Sequence, residues 1–297
     1  MLIRFGFEIE LESPAPVPML LALSTHSDLS GRLIGEDHVR VMPDCGTHRY
    51  LDRFGNWITR LVAPIGPSKL WTDCVVELDG LPDPQLPSAR QHSIPELPDN
   101  VVQHLIPSRY CDSDNLTQEA WKLFANHPEG WGRVQAIADF VHQHVTFGYQ
   151  FGRASKTASE VFREKSGVCR DFAHLAIAFC RAMNIPARYA SGYLGDIGVP
   201  YSGPGDFSAW FEAYLDHRWH TFDARYNVPR VGRILMVRGS DASDVAMITS
   251  FGGYQLKLFR VWADRLDEGL GDAKILELLQ TRPDAEPLVF PSSARAV

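Results

Sequence analysis

Ile3, Phe5, Phe7, Ile9 and Leu11 alternate with Arg4, Gly6, Glu8, Glu10 and Glu12 at the start of the chain. A period of two is that of a strand with one buried face, so a half-buried strand is predicted here. Residues 39–42, 57–62 and 71–78 repeat the pattern in shorter runs, with turn residues at 44–46, 52–56 and 65–67 between them. Short strands at this spacing, with little helix, predict a small β-sandwich-like domain over residues 1–81. Pro82, Pro84, Pro87, Pro95 and Pro98 then follow within a few turns' length of chain. Prolines at that density prevent a regular ladder or helix, and residues 82–107 read as a connector.

Beyond the connector the period changes to that of a helix. Val134, Ile137, Ala138, Val141 and Val145 recur at helical intervals within 132–145, and 117–126 is similar. His142 and His144 fall at the end of this helix, where a cation suits the dipole; solvated C-terminal residues are expected rather than ligands. Thr157-Ala158-Ser159-Glu160 fits a capping box opening a short helix that ends near Lys165. Residues 166–195 are the most informative stretch. Phe172, Leu175, Ala176, Phe179 and Met183 share one helical face, the helix breaks at Asn184-Ile185-Pro186, and a β-rich run follows over 187–193. Cys169 lies in the first turn, where free backbone N–H groups and the dipole favour an anion, so its thiol is expected to ionise closer to neutrality. The alternative is one more small buried apolar residue. Asp171 reads as a first-turn acid that suits the dipole. His174, five positions on and about 140° round the axis, is expected to pack beneath the helix or bond to backbone.

Residues 208–215 and 218–223 read as two strands joined by Asp216-His217. A two-residue hairpin loop sets Leu215 opposite Arg218, Trp210 opposite Asp223 and Ser208 opposite Arg225. Ser208, Trp210 and Asp223 then share one face, toward which Cys169 is expected to turn, and His220 points to the other. Arg225 either pairs with Asp223 or makes an ordinary cross-strand contact. Residues 233–237, 245–251 and 256–263 are expected as further strands of the same sheet, and 272–280 as a short helix. The core spans 108–285, and 286–297 reads as a loose tail.

The chain has 29 Lys and Arg against 36 Asp and Glu, which argues against nonspecific nucleic-acid binding. Its apolar runs are too short to span a bilayer. The N-terminus lacks the basic start and apolar centre of a signal peptide, and the five scattered cysteines lack metal-ligand spacing. A cytoplasmic protein without metal is expected.

GVCRDFAHL, IPARYASGYL and AWFEAYLDHRWHTFDARYN, in that order, resemble the core of the transglutaminase-like superfamily, and more narrowly the bacterial transglutaminase-like cysteine proteases. The resemblance covers residues 136–252, and the N-terminal part is similar to the β domain that commonly precedes this core. It implies an α+β protein with a papain-like core, a helix bundle packed on an antiparallel sheet. It further implies thiol acyl transfer on a peptide or amide substrate by a Cys-His-Asp triad, without cofactor. Cys169 matches the nucleophile and Asp223 the aspartate; Ser208 stands where the family has its histidine. Two functions follow. One is a cysteine hydrolase or acyltransferase, with the Cys169 N–H and a side chain near Tyr149 or Gln150 at the oxyanion. The other is a binding or scaffold protein, because a serine hydroxyl cannot accept a proton as imidazole does. A redox-sensing thiol is a third reading without specific support.

Overall fold

A computed structural model describes residues 1–267 and 269–290. The N-terminal half holds β1 (Leu2–Ser13), β2 (Val17–Leu21), β3 (Leu33–Ile34), β4 (Arg40–Met42), β5 (His48–Leu51), β6 (Trp57–Ala63) and β7 (Gly66–Glu77). β7 begins at Gly66, inside the expected turn, because Pro67 opposite Glu12 stands near the strand's first position, where a missing N–H is tolerated. The long apolar alternation of β1 is buried as predicted, but so is most of its polar face. Arg4 forms an ion pair with Asp73 at 2.5 Å, and the Trp262 ring lies where a Cβ on Gly6 would stand.

Helices α1 (Asp99–Val102), α2 (Thr117–Phe124) and α3 (Trp131–His144) follow the proline-rich arm, which is fastened by Leu97 and Val101 packing on Tyr214. Next come β8 (Thr146–Phe147), α4 (Ala158–Glu164), β9 (Ser166–Gly167), α5 (Cys169–Ala182), β10 (Ala187–Leu194), β11 (Phe207–Leu215), β12 (Arg218–Phe222) and β13 (Arg233–Gly239). Thr157 and Glu160 make the predicted reciprocal cap on α4. The core sheet runs β12-β11-β10-β13, all antiparallel. Phe172 to Arg181 of α5 are all buried, packed between α3, α4 and β11. The protein is therefore α+β, with a helix cluster on an antiparallel sheet.

The last elements are β14 (Ile248–Ser250), β15 (Gln255–Arg265) and α6 (Asp272–Leu278). Strands over 245–251 and 256–263 were expected in the core sheet; only β13 joins it. β15 pairs with β1 from Ile3–Arg265 to Glu12–Gln255, and β14 pairs with β2. The N-terminal sheets run β15-β1-β7-β3, with β4 also on β7, and β14-β2-β6-β5. Alternation identifies a strand but not its partner, and β1 has a second edge that must be paired or covered. Part of the expected tail is anchored: the Leu288 N–H donates to Phe259 O, and the Phe290 ring meets Phe259 and Tyr149. Residues 291–297 lie outside the described part.

Candidate active site

Two short parallel strands, β8 and β9, deliver the chain to the start of α5. Cys169 is the first helical residue, as predicted. Asp171 closes the helix end: its Oδ2 accepts from the Val168 N–H at 3.0 Å, while its own N–H donates to Val168 O. A Cβ on Gly167 would lie 2.6 Å from the Asp171 Cβ, so glycine here makes room for the capping acid. Burial pushes the Asp171 carboxyl up, although Arg170 pairs with it at 3.0 Å. Arg170 is spent on Asp171 and the Arg153 carbonyl.

The sulfur lies at the edge of β11, 4.0 Å from the Phe207 carbonyl oxygen and beside the Ala209 N–H. In an extended strand these two groups point the same way, opposite to those of Ser208, which faces Gly192 across the β10–β11 ladder. They would bond to β12 if it continued, but pairing stops at Phe211–Phe222. The thiol therefore sits at the vacated sheet edge, between the two faces. Burial pushes its pKa up to about 11; Arg225 opposes the shift, while Asp206 adds to it. The expectation of a thiol ionising near neutrality is corrected: desolvation outweighs the pull of Arg225 and the Ala209 N–H.

The hairpin register is as predicted from Leu215–Arg218 to Phe211–Phe222, around Asp216 and His217, both at positive φ. The expected pairs Trp210–Asp223 and Ser208–Arg225 do not form. Asp223 bends the chain out of the ladder, its Oδ1 accepting from the N–H groups of Arg225 and Tyr226. Its Oδ2 accepts from Arg233 at 3.2 Å, and Arg233 also binds Asp83 and lies 4.5 Å over the Trp210 ring. Arg233, not Arg225, is the cation at Asp223; Arg225 stacks on Phe147 at 3.7 Å. Ser208 is 4 % exposed, and its Oγ has no hydrogen-bond partner among the described residues.

The other histidines stay away from the sulfur. His220 faces Ala213 in the ladder, bonds to Leu215 O and packs edge-on against Trp131. Ala213 belongs to the core beneath α5, so His220 shares the helix-side face, at the far end of the strand. His174 lies buried between Tyr110 and Tyr189, its Nε2 accepting from the Ala242 N–H. His142 is exposed, as expected, and bonds to the Arg225 carbonyl; His144 is half-buried and bonds to the Phe162 carbonyl. No group of three or more metal-ligating side chains occurs among the described residues.

Two cavities lie near the thiol, and Cys169 lines the first of them. One, of about 330 Å³, is mostly apolar, with Cys169 flanked by Tyr189, Phe207, Val245, Met247 and Phe259. The other, of about 430 Å³, is the more polar of the two and is lined by Ser208, Arg225 and several carboxylates among apolar side chains. Tyr149 and Asp206 line both, joined by a 2.8 Å hydrogen bond from the tyrosine hydroxyl to Asp206 Oδ2. Burial raises the Asp206 carboxyl to about 6, against the pull of Tyr149, the Phe207 N–H and Arg225. Asp206 was not singled out in the sequence; its one local signal is an acid immediately before a buried strand.

A helix-borne thiol at the edge of an antiparallel sheet is the frame of a papain-like cysteine site. Residues 119–224 match the family model of the transglutaminase-like superfamily, which classifies that stretch as a transglutaminase-like core. A solved structure from Cytophaga hutchinsonii, described as a candidate cysteine protease, superposes with a TM-score of 0.77 at 28 % identity, covering 91 % of this chain and 92 % of that one. An uncharacterized protein of Mycobacterium leprae is 27 % identical over 246 residues, 79 % of this chain and 86 % of its own length. One from Mycobacterium tuberculosis is 42 % identical over 64 residues, 20 % of each.

Proposed function

We propose that this protein is a cysteine hydrolase or acyltransferase of reduced rate, acting on peptides or amides that place an apolar side chain beside the reacting carbonyl. The observation that carries the reading is the apolar cavity of about 330 Å³ opening on the Cys169 thiol. Cys169 would attack the carbonyl, with its own backbone N–H at the oxyanion. The rate is reduced because Ser208 supplies no imidazole and the thiol is held up at about 11. Those two features also support a second reading, a transglutaminase-fold protein that binds the same peptides without turning them over. In both readings the protein works in the cytoplasm, which the five unpaired cysteines support, and has no nucleic-acid partner.

Hydrolysis of peptide amides with Phe or Glu on the acyl side, by the unmodified protein, Cys169→Ala and Ser208→His, tests this. Slow turnover that prefers Phe and vanishes in Cys169→Ala is expected. Ser208→His should raise it about 100-fold, the scale of a positioned acid–base group, because residue 208 borders a cavity with room for a ring. Binding of the Phe peptide without turnover above the Cys169→Ala blank would leave the second reading.

A further inference from the structure

Among the described residues, Asp206 is the one side chain other than Tyr149 and Phe207 that borders both the cavity holding the thiol and the polar cavity next to it. The next residue's carbonyl oxygen is the group 4.0 Å from Sγ. Tyr149, held between the rings of Phe147 and Phe290, donates to its Oδ2 at 2.8 Å. We propose that Asp206 is the acid–base residue of this site and that Tyr149 positions it, together occupying the role that Ser208 cannot fill.

This rests on the acyl-transfer reading. The ionised carboxylate takes the Sγ proton as the sulfur–carbon bond forms at the substrate carbonyl. The tetrahedral oxyanion collapses, the carbon–nitrogen bond breaks, and the carboxyl gives the same proton to the departing amine. Water then attacks the thioester while Asp206 takes one of its protons; the carbon–sulfur bond breaks and that proton returns to Sγ, leaving a free carboxylic acid. A carboxyl held near 6 is ionised at neutral pH yet more basic than an exposed one. The thiol at about 11 lies about five powers of ten above it, so the proton moves only as the new bond forms, consistent with a slow enzyme.

The groups that set this titration are few. Tyr149 and Arg225 hold the carboxyl down, and burial holds it up. Cys169 faces it from α5, and its thiol is held up in turn by the Asp206 charge. Across the polar cavity stand Asp196, Asp264, Asp284 and Glu286, with Tyr226 beside Arg225. Asp196 is bonded by Ser202, and Glu286 by Tyr201.

Amide turnover and iodoacetamide labelling of Cys169, each measured against pH, test the proposal in the unmodified protein, Asp206→Asn, Asp206→Glu and Tyr149→Phe. Turnover of the unmodified protein should rise through an inflection near pH 6. Asp206→Asn should lower turnover at least 100-fold and remove the inflection while labelling becomes faster, because a negative charge beside the sulfur is gone. Tyr149→Phe should move the inflection to higher pH, and Asp206→Glu should retain part of the turnover. A structural role alone would slow labelling and turnover together. That result, or an unchanged pH profile in Asp206→Asn, overturns the assignment. An unmodified protein inert toward amides would instead remove the acyl-transfer reading on which the assignment stands.

Discussion

At Cys169 the helix end, the Ala209 N–H and Arg225 all favour a thiolate, while a dense wall of side chains and the charges of Asp206 and Asp171 oppose it. Desolvation decides the contest. Iodoacetamide labelling of Cys169 should therefore rise with pH toward a step near 11; at pH 8 only about one thiol in a thousand is ionised. Arg225→Gln should push the step higher still, because it removes the cation that opposes burial. Mass-spectrometric labelling rates from pH 7 to 11 check both; a step below 8.5 in the unmodified protein would contradict the account. Asp223 presents the complementary case. Its carboxylate and that of Asp83 share the buried Arg233. Arg233→Met leaves both without that partner and should cost about 3–5 kcal/mol in urea unfolding, the scale for breaking a buried pair. Cys169 was legible because a cysteine opening an apolar helix is a local pattern. The Arg233–Asp223 pair was not, since ten residues and a change of strand separate them and no local period links the two.

Among the elements, β12 decides where the thiol can go. Turn length fixed its register with β11, and that much could be read from spacing. Its early end could not, because the bonds from Arg225 and Tyr226 to Asp223 Oδ1 compete with the ladder, and period two carries no sign of that contest. Helix α5 carries a separate consequence. His174 is buried, with its pKa lowered to about 3 mainly by desolvation and by Arg170; Asp241 pulls the other way, and Arg181 adds to the lowering. In the unfolded chain an ordinary imidazole protonates near 6.5, so below that pH the unfolded state binds a proton the folded state refuses. Stability should fall as pH drops from 6.5 toward 3, at up to about 1.4 kcal/mol per pH unit. Asp241, whose pKa is lowered, adds its own loss only below about 4. Urea midpoints at pH 7, 6 and 5 should thus decline in the unmodified protein and decline less steeply in His174→Gln, which keeps an acceptor for the Ala242 N–H; His104, buried and likewise lowered to about 3, leaves a slope of its own. Equal slopes in the two proteins would show that His174 is not the group responsible.

On the scale of the whole molecule, the first and last strands meet. β15 covers the outer edge of β1, Trp262 fills the space above Gly6, and its Nε1 donates to Asp73, the partner of Arg4. β14 does the same service for β2. The change of period across the prolines marks where helices begin, and on it residues 1–81 read as an N-terminal β domain. Nothing in residues 1–81 signals that their sheets wait for strands more than 160 residues later, because an edge is satisfied by backbone groups that every sequence carries. A fragment of residues 1–81 keeps β1 paired with β7, but exposes the other edge of β1 and uncovers Asp73 and Gly6. It should be unfolded or aggregated by circular dichroism and sedimentation. The full chain, whose main cluster of buried apolar residues runs from Ile3 to Val261 and takes in both halves, should lose both halves in a single unfolding transition. A monomeric, folded 1–81 fragment, or two separate transitions in the full chain, would mean that β15 decorates the N-terminal sheet rather than completing it.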